Sequence, residues 1–130
     1  MIDHCSTYAL DFEATRRFYD EALGALGYVR NMEFVATMDP EHPTRRLCAY
    51  GVGQKPTFWV VEAYEKSTPR HTAFVAHSRE AVSAFHAAAL RVGATDNGAP
   101  GLRPHYHPTY FGAFVLDPDG NNVEAVCHTP

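Results

Sequence analysis

Four side chains of this 130-residue sequence have the types and placement to hold a divalent cation together: His4, Glu62, His71 and Glu124. Imidazole nitrogen and carboxylate oxygen suit Zn, Fe, Ni or Mn, and two of each would leave coordination positions for a substrate. Each lies in a stretch with strand character, where side chains alternate between faces. His4 shares a face with Ile2, Ser6 and Tyr8, and Glu62 with Phe58 and Val60. His71 falls with Ala73 and Val75, and Glu124 lies opposite Val123, Ala125 and Cys127. The expectation is that all four line one concave face. A carboxylate flanked by apolar strand residues, as Glu124 is, needs a partner if it is buried.

A second group sits in Arg103-Pro-His-Tyr-His-Pro-Thr-Tyr110, where two prolines stiffen a segment carrying a guanidinium, two imidazoles and two phenols. It reads either as a loop at the mouth of a cup, with Arg103, His105, His107 and Tyr110 orienting a polar or aromatic substrate, or as a solvated loop. His105 and His107 have no carboxylate at ligand spacing, so they are not assigned to the metal. His42, His77, His86 and His128 are expected at the surface, and Cys127 as a small core residue.

The elements that must position these groups follow from pattern. Residues 2–10 form a first strand, and Asp11 caps a helix with the stripe Phe18, Ala22 and Leu26, closed by Gly27. Strands follow at 28–36, 46–52 and 57–63. The pattern restarts with a strand at 71–76, then a helix capped by Ser78 and stopped by Gly93. Next comes a loop containing Asn97-Gly98 and Pro100-Gly101. Tyr110 to Leu116 and Asn121 to Cys127 are strands joined by the turn Asp117-Pro118-Asp119-Gly120.

His4 and His71, Phe18 and Phe85, Ala22 and Ala89, and Leu23 and Leu90 are each 67 positions apart. An internal duplication of a βαβββ unit accounts for these together. The expected architecture is α+β: a single domain over 1–130, with module one at about 1–66 and module two at about 67–130.

A net charge of −4 argues against a dedicated nucleic-acid binder, which would carry a basic stripe, and no apolar run approaches a membrane span. Three scattered cysteines without a CxxC pair fit neither a disulfide framework nor a zinc ribbon, so a reducing cytoplasm is expected.

The chain resembles the vicinal oxygen chelate superfamily of glyoxalase I, extradiol dioxygenases, fosfomycin-resistance enzymes and bleomycin-resistance proteins. The resemblance is carried by Asp3-His4, by Arg17-Phe18-Tyr19 through Leu23 and Gly27, by His71, and by Phe114-Val-Leu-Asp-Pro-Asp-Gly-Asn-Asn-Val-Glu124. It implies two modules curving into an open cup around a metal, with ligands at His4, His71 and Glu124 and Glu62 as a possible fourth. It also implies a homodimer whose sites combine modules of two chains.

Two chemistries remain open on ligand count. With Glu62 bound, a carboxylate that swings off the metal serves as base, as in glyoxalase-type proton transfer with Glu124 or Glu62 as catalytic group. With three ligands, the site is a facial triad suited to ferrous iron, dioxygen and a catechol-like substrate. A different class is a metal-free protein that sequesters a small molecule, as bleomycin-resistance proteins do.

Overall fold

The computed structural model describes all 130 residues. Two four-stranded mixed sheets are each crossed by one helix. In module one, β1 (Cys5–Ala9) leads into α1 (Phe12–Gly24), then β2 (Val29–Val35), β3 (Arg46–Gly51) and β4 (Phe58–Glu62). Module two repeats the order with β5 (His71–Val75), α2 (Arg79–Arg91), β6 (Thr95–Leu102), β7 (Phe111–Leu116) and β8 (Asn122–Cys127). The sheet orders are β1-β4-β3-β2 and β5-β8-β7-β6, with β1·β4 and β5·β8 parallel and the other pairs antiparallel. This is the expected α+β arrangement of two βαβββ units.

The helices start where side-chain oxygens satisfy orphan amides: Asp11 accepts from the Ala14 N–H and Ser78 from the Ala81 N–H. Beyond the helices, Gly27 and Gly93 take φ of +86° and +89°, a region that costs other residues a steric clash. α1 and α2 pack against each other and share one core. Phe18, Leu23, Phe58 and Val60 join Phe74, Phe85, Val115 and Val123 in one core cluster spanning both modules.

The Asp-Pro-Asp-Gly turn binds the modules together. Buried Asp117 accepts a 2.8 Å hydrogen bond from the Tyr19 hydroxyl of α1 and further bonds from Asn121. Asp119 accepts from the Leu10 N–H and the Thr15 hydroxyl, and the Asn121 amide reaches Thr7. Burial and the Asp117 carboxylate hold the Tyr19 phenol far above its ordinary pKa, so it is a permanent donor.

Two expectations need correction. The segment expected as a loop around Asn97-Gly98 and Pro100-Gly101 is strand β6, paired with β7 through two register shifts. Its glycines and proline hide the alternation that marks a strand, and the shifts break the period. The first strand begins at Cys5, which leaves Ile2, Asp3 and His4 on the extension before it. No helix is long and apolar enough to cross a membrane.

Candidate metal centre

The face of each sheet away from the helices is open. In module two it carries His71, Ala73 and Val75 from β5, Glu124 and Val126 from β8, and Gly112 and Phe114 from β7. The register pairs Ala73 with Glu124 and Glu124 with Phe114, which puts them on this face, while Ala113, Val115, Val123 and Ala125 fill the core.

Glu124 is 1% exposed, and each carboxylate oxygen has a partner. Oε2 lies 2.9 Å from Nε2 of His71, and Oε1 accepts the Tyr110 hydroxyl. The Tyr110 phenol is pushed above its ordinary pKa by burial first and by the bond to Glu124 second, so it stays protonated. This geometry depends on a missing side chain. A Cβ on Gly112 would stand 3.1 Å from the Tyr110 ring and 3.4 Å from Glu124 Oε1.

A nitrogen and an oxygen 2.9 Å apart match neighbouring donors on one cation, which sit about 3 Å apart when each bond is about 2.1 Å. Were a cation held there, Tyr110 would fix the orientation of the carboxylate, as outer partners do in metal sites. These two donors fit a divalent cation but do not complete its shell. No group of three His, Cys, Asp or Glu side chains converges within one chain.

The other expected ligands lie elsewhere. His4 precedes β1 with its Nδ1 2.7 Å from Asp3, and its side chain is 57% exposed. Glu62 does not lie on the open face. It pairs with Ala9 at the end of β4 and lies on the helix side, as do Phe58 and Val60. There it accepts from the Arg46 N–H, Nε and a terminal guanidinium nitrogen at 3.1, 3.0 and 2.7 Å. Arg46 also reaches Glu13 of α1, and its guanidinium, first through that hydrogen bonding, lowers the Glu62 pKa. The alternation in the sequence already placed Glu62 with Phe58 and Val60. What it did not reveal was that those two residues define the buried side.

Register identifies what stands where a second carboxylate would be. Ser6, which is 67 residues before Ala73, pairs with Trp59, just as Ala73 pairs with Glu124. Trp59 is therefore the module-one counterpart of Glu124. Its ring meets Phe34 edge-on at 6.0 Å, and it shares the open face with Leu47, Ala49 and Val61.

The 103–110 segment divides. The Tyr110 hydroxyl turns inward to Glu124. Arg103 lies on the open face, its guanidinium 5.4 Å from the Phe114 ring centroid and donating to the Ala99 and Gly101 carbonyls. His105 packs against Tyr106, ring centroids 4.3 Å apart. His107 accepts the Thr109 N–H at Nδ1, so its Nε2 carries the proton donated to His128 Nδ1 at 2.8 Å. The two imidazoles are thereby engaged with each other. His86, expected at the surface, is 8% exposed and bonded to Asp96, whereas Cys127 is in the core as expected.

A family model described as Glyoxalase/Bleomycin resistance protein/Dioxygenase superfamily matches residues 1–125. Among solved structures, a glyoxalase/bleomycin resistance protein from Albidiferax ferrireducens T118 is 27% identical, with TM-score 0.74 over 96% of this chain and 97% of that one. A glyoxalase/bleomycin resistance protein/dioxygenase family enzyme from Burkholderia phytofirmans PsJN is 20% identical, with TM-score 0.67 over 98% of both chains. Glyoxalase I from Zea mays is 18% identical, with TM-score 0.71 over 96% of this chain and 43% of its own. The last two show a shared fold alone, and no curated protein matches the sequence. With the duplicated βαβββ architecture and a family match over nearly its whole length, the chain belongs to the Glyoxalase/Bleomycin resistance protein/Dioxygenase superfamily.

Proposed function

We propose that this protein is a homodimeric enzyme whose site takes a divalent cation from His71 and Glu124 of one copy and His4 of the other. The substrate is a small molecule with two vicinal oxygens. The observation that carries this reading is the His71–Glu124 pair at 2.9 Å on the open face, with the second oxygen of the carboxylate fixed by Tyr110.

A second copy is invoked because within one chain His4 has only Asp3 beside it and does not join His71 and Glu124. The open faces also leave Tyr8, Met32 and Val75 at 38%, 41% and 70% exposure. Burying such residues against another copy is favourable by about 25 cal/mol per Å² of apolar surface.

The ligand count favours the facial-triad chemistry over glyoxalase-type proton transfer. Glu62 is committed to Arg46, and Trp59 occupies the place of a fourth donor, so no second carboxylate is poised to act as base. A bound cation would polarise the two substrate oxygens and stabilise charge developing on them. His71 would hold the cation through an unprotonated Nε2, while Tyr110 would keep Glu124 oriented as an acceptor. Trp59 and Phe34 of the facing module supply an aromatic wall for a flat substrate such as a catechol, and ring cleavage by dioxygen is the reaction class that suits these parts.

The test is subunit complementation. His4→Ala and His71→Ala homodimers should each lose stoichiometric Fe(II) binding, measured by titration calorimetry under nitrogen. Mixing the two through mild denaturation and refolding should restore one site per heterodimer, because one half retains His4 opposite an intact His71–Glu124 pair. No restoration would refute the shared site. Lack of Fe(II), Zn(II), Ni(II) or Mn(II) binding by the wild type, together with tight binding of a catechol by the metal-free protein, would leave the sequestering reading in its place.

A further inference from the structure

Beyond the cation, the open face of module two holds a second charge with no opposite partner. Arg103 is half-buried, and its contacts are neutral: the Gly101 carbonyl at 2.9 Å, the Ala99 carbonyl at 2.8 Å and the Phe114 ring. These two bonds use one terminal nitrogen each and leave other guanidinium N–H groups unsatisfied by the protein. An arginine held without a carboxylate, over an aromatic ring and on the side of the sheet that faces the site, is a prepared anion receptor.

The backbone beneath it is shaped for this placement. A Cβ on Gly98 would stand 3.2 Å from one terminal nitrogen of Arg103 and 3.0 Å from Phe114, and a Cβ on Gly101 would stand 3.2 Å from the other terminal nitrogen. The glycines and register shifts that hid β6 from the sequence pattern therefore create the flat strip on which the guanidinium lies. Phe114, under Arg103, pairs across strands with Glu124, and its ring centroid is 6.4 Å from that of His71. Arg103, Phe114, His71, Tyr110 and Glu124 thus form one continuous patch.

We infer that Arg103 is a specificity-determining residue and that the substrate carries an anionic group, a carboxylate or its phosphonate analogue, a few bonds from its vicinal oxygens. The anion is bound by the free edge of the guanidinium, while Phe114 and the rings of the facing module hold the flat part between anion and chelating oxygens. The inference rests on the open face being the substrate cup. An anion beside Glu124 is tolerable because both oxygens of that carboxylate are already capped, by His71 and Tyr110.

The experiment compares 3,4-dihydroxybenzoate with catechol, two probes that share vicinal hydroxyls and differ in the carboxylate. Titration calorimetry is run on the dimer loaded with Zn(II), which binds without turnover, at two salt concentrations. Wild type should bind the acid about 10- to 100-fold more tightly than catechol, with the advantage shrinking as salt rises. Arg103→Gln should abolish that preference while leaving catechol affinity within about twofold, and Arg103→Lys should recover part of it through charge alone. Thermal melts of each variant establish that β6 is intact, and the lysine variant serves if the glutamine variant does not fold. Equal affinity of wild type for both probes, or an unchanged preference in both variants, overturns the anion subsite and leaves the metal site standing. Failure of both probes to bind would instead overturn the cup reading itself, and the inference with it.

Discussion

The two modules have the same scaffold and different open faces. α1 and α2 are displaced by 67 positions at both ends, and each helix is capped by a side-chain oxygen. Yet where module two has Glu124, capped by His71 and Tyr110, module one has Trp59 against Phe34. Module two leaves space for its carboxylate pair by placing Gly112 on β7, while module one fills its open face with Leu47 and Ala49. The comparison teaches that the duplication preserved what builds the core and let the exposed face diverge, one module toward a capped carboxylate and the other toward an aromatic pair. Side chains on the helix side must fit a packed interior, whereas those on the open face answer only to their own partners and ligand.

The sharpest break of this comparison is Glu124→Ala against Glu62→Gln. Losing Glu124 should weaken Zn(II) binding by at least about 100-fold, while losing Glu62 should change it less than about threefold, both by competition with a chromogenic chelator. Comparable losses would place Glu62 back in the site. Next comes Asp117→Ala, which leaves the buried Tyr19 hydroxyl and Asn121 amide unpaired between the modules and should cost about 3 kcal/mol in urea unfolding. A loss below about 1 kcal/mol would mean that the turn does not hold the halves together.

Trp59→Glu would make the faces alike. Restoring a carboxylate at the counterpart of Glu124 should tighten Zn(II) binding by about tenfold in the dimer, and no gain would argue that module one does not face the ion. The smallest effect concerns Glu62 in its structural role. Its pKa is lowered in the folded state below the ordinary 4.5, so its stabilisation is present above that value and is lost as pH falls through the lowered folded pKa. Because Arg46 is 41% exposed, the contribution should stay under about 1 kcal/mol. Glu62→Gln should therefore remove a shallow part of the acid-side slope in melting temperature, and an unchanged slope would dismiss the ion pair.

The boundary between legible and illegible follows from the range of the interactions. Helix caps at Asp11 and Ser78, the Asp-Pro-Asp-Gly turn and the face of Glu124 are set by neighbours in sequence, so pattern alone found them. The strand β6 was missed because Gly98, Pro100 and Gly101 are chosen for what lies over them, Arg103 and Phe114, and not for strand propensity. Glu62 was assigned to the wrong face because alternation groups residues without saying which group is buried. The apolar company of Phe58 and Val60 was a sign of the core side.

By itself the sequence determined the duplicated βαβββ order, the capped helices and the presence of His71 and Glu124 on strands of the second module, since these depend on local propensity and period. The tertiary structure alone decided which partner each charged group took: Arg46 for Glu62, Tyr110 and His71 for Glu124, neutral carbonyls for Arg103. Those partners lie up to 53 residues away along the chain, and only the packing of strands and helices brings them within hydrogen-bond reach.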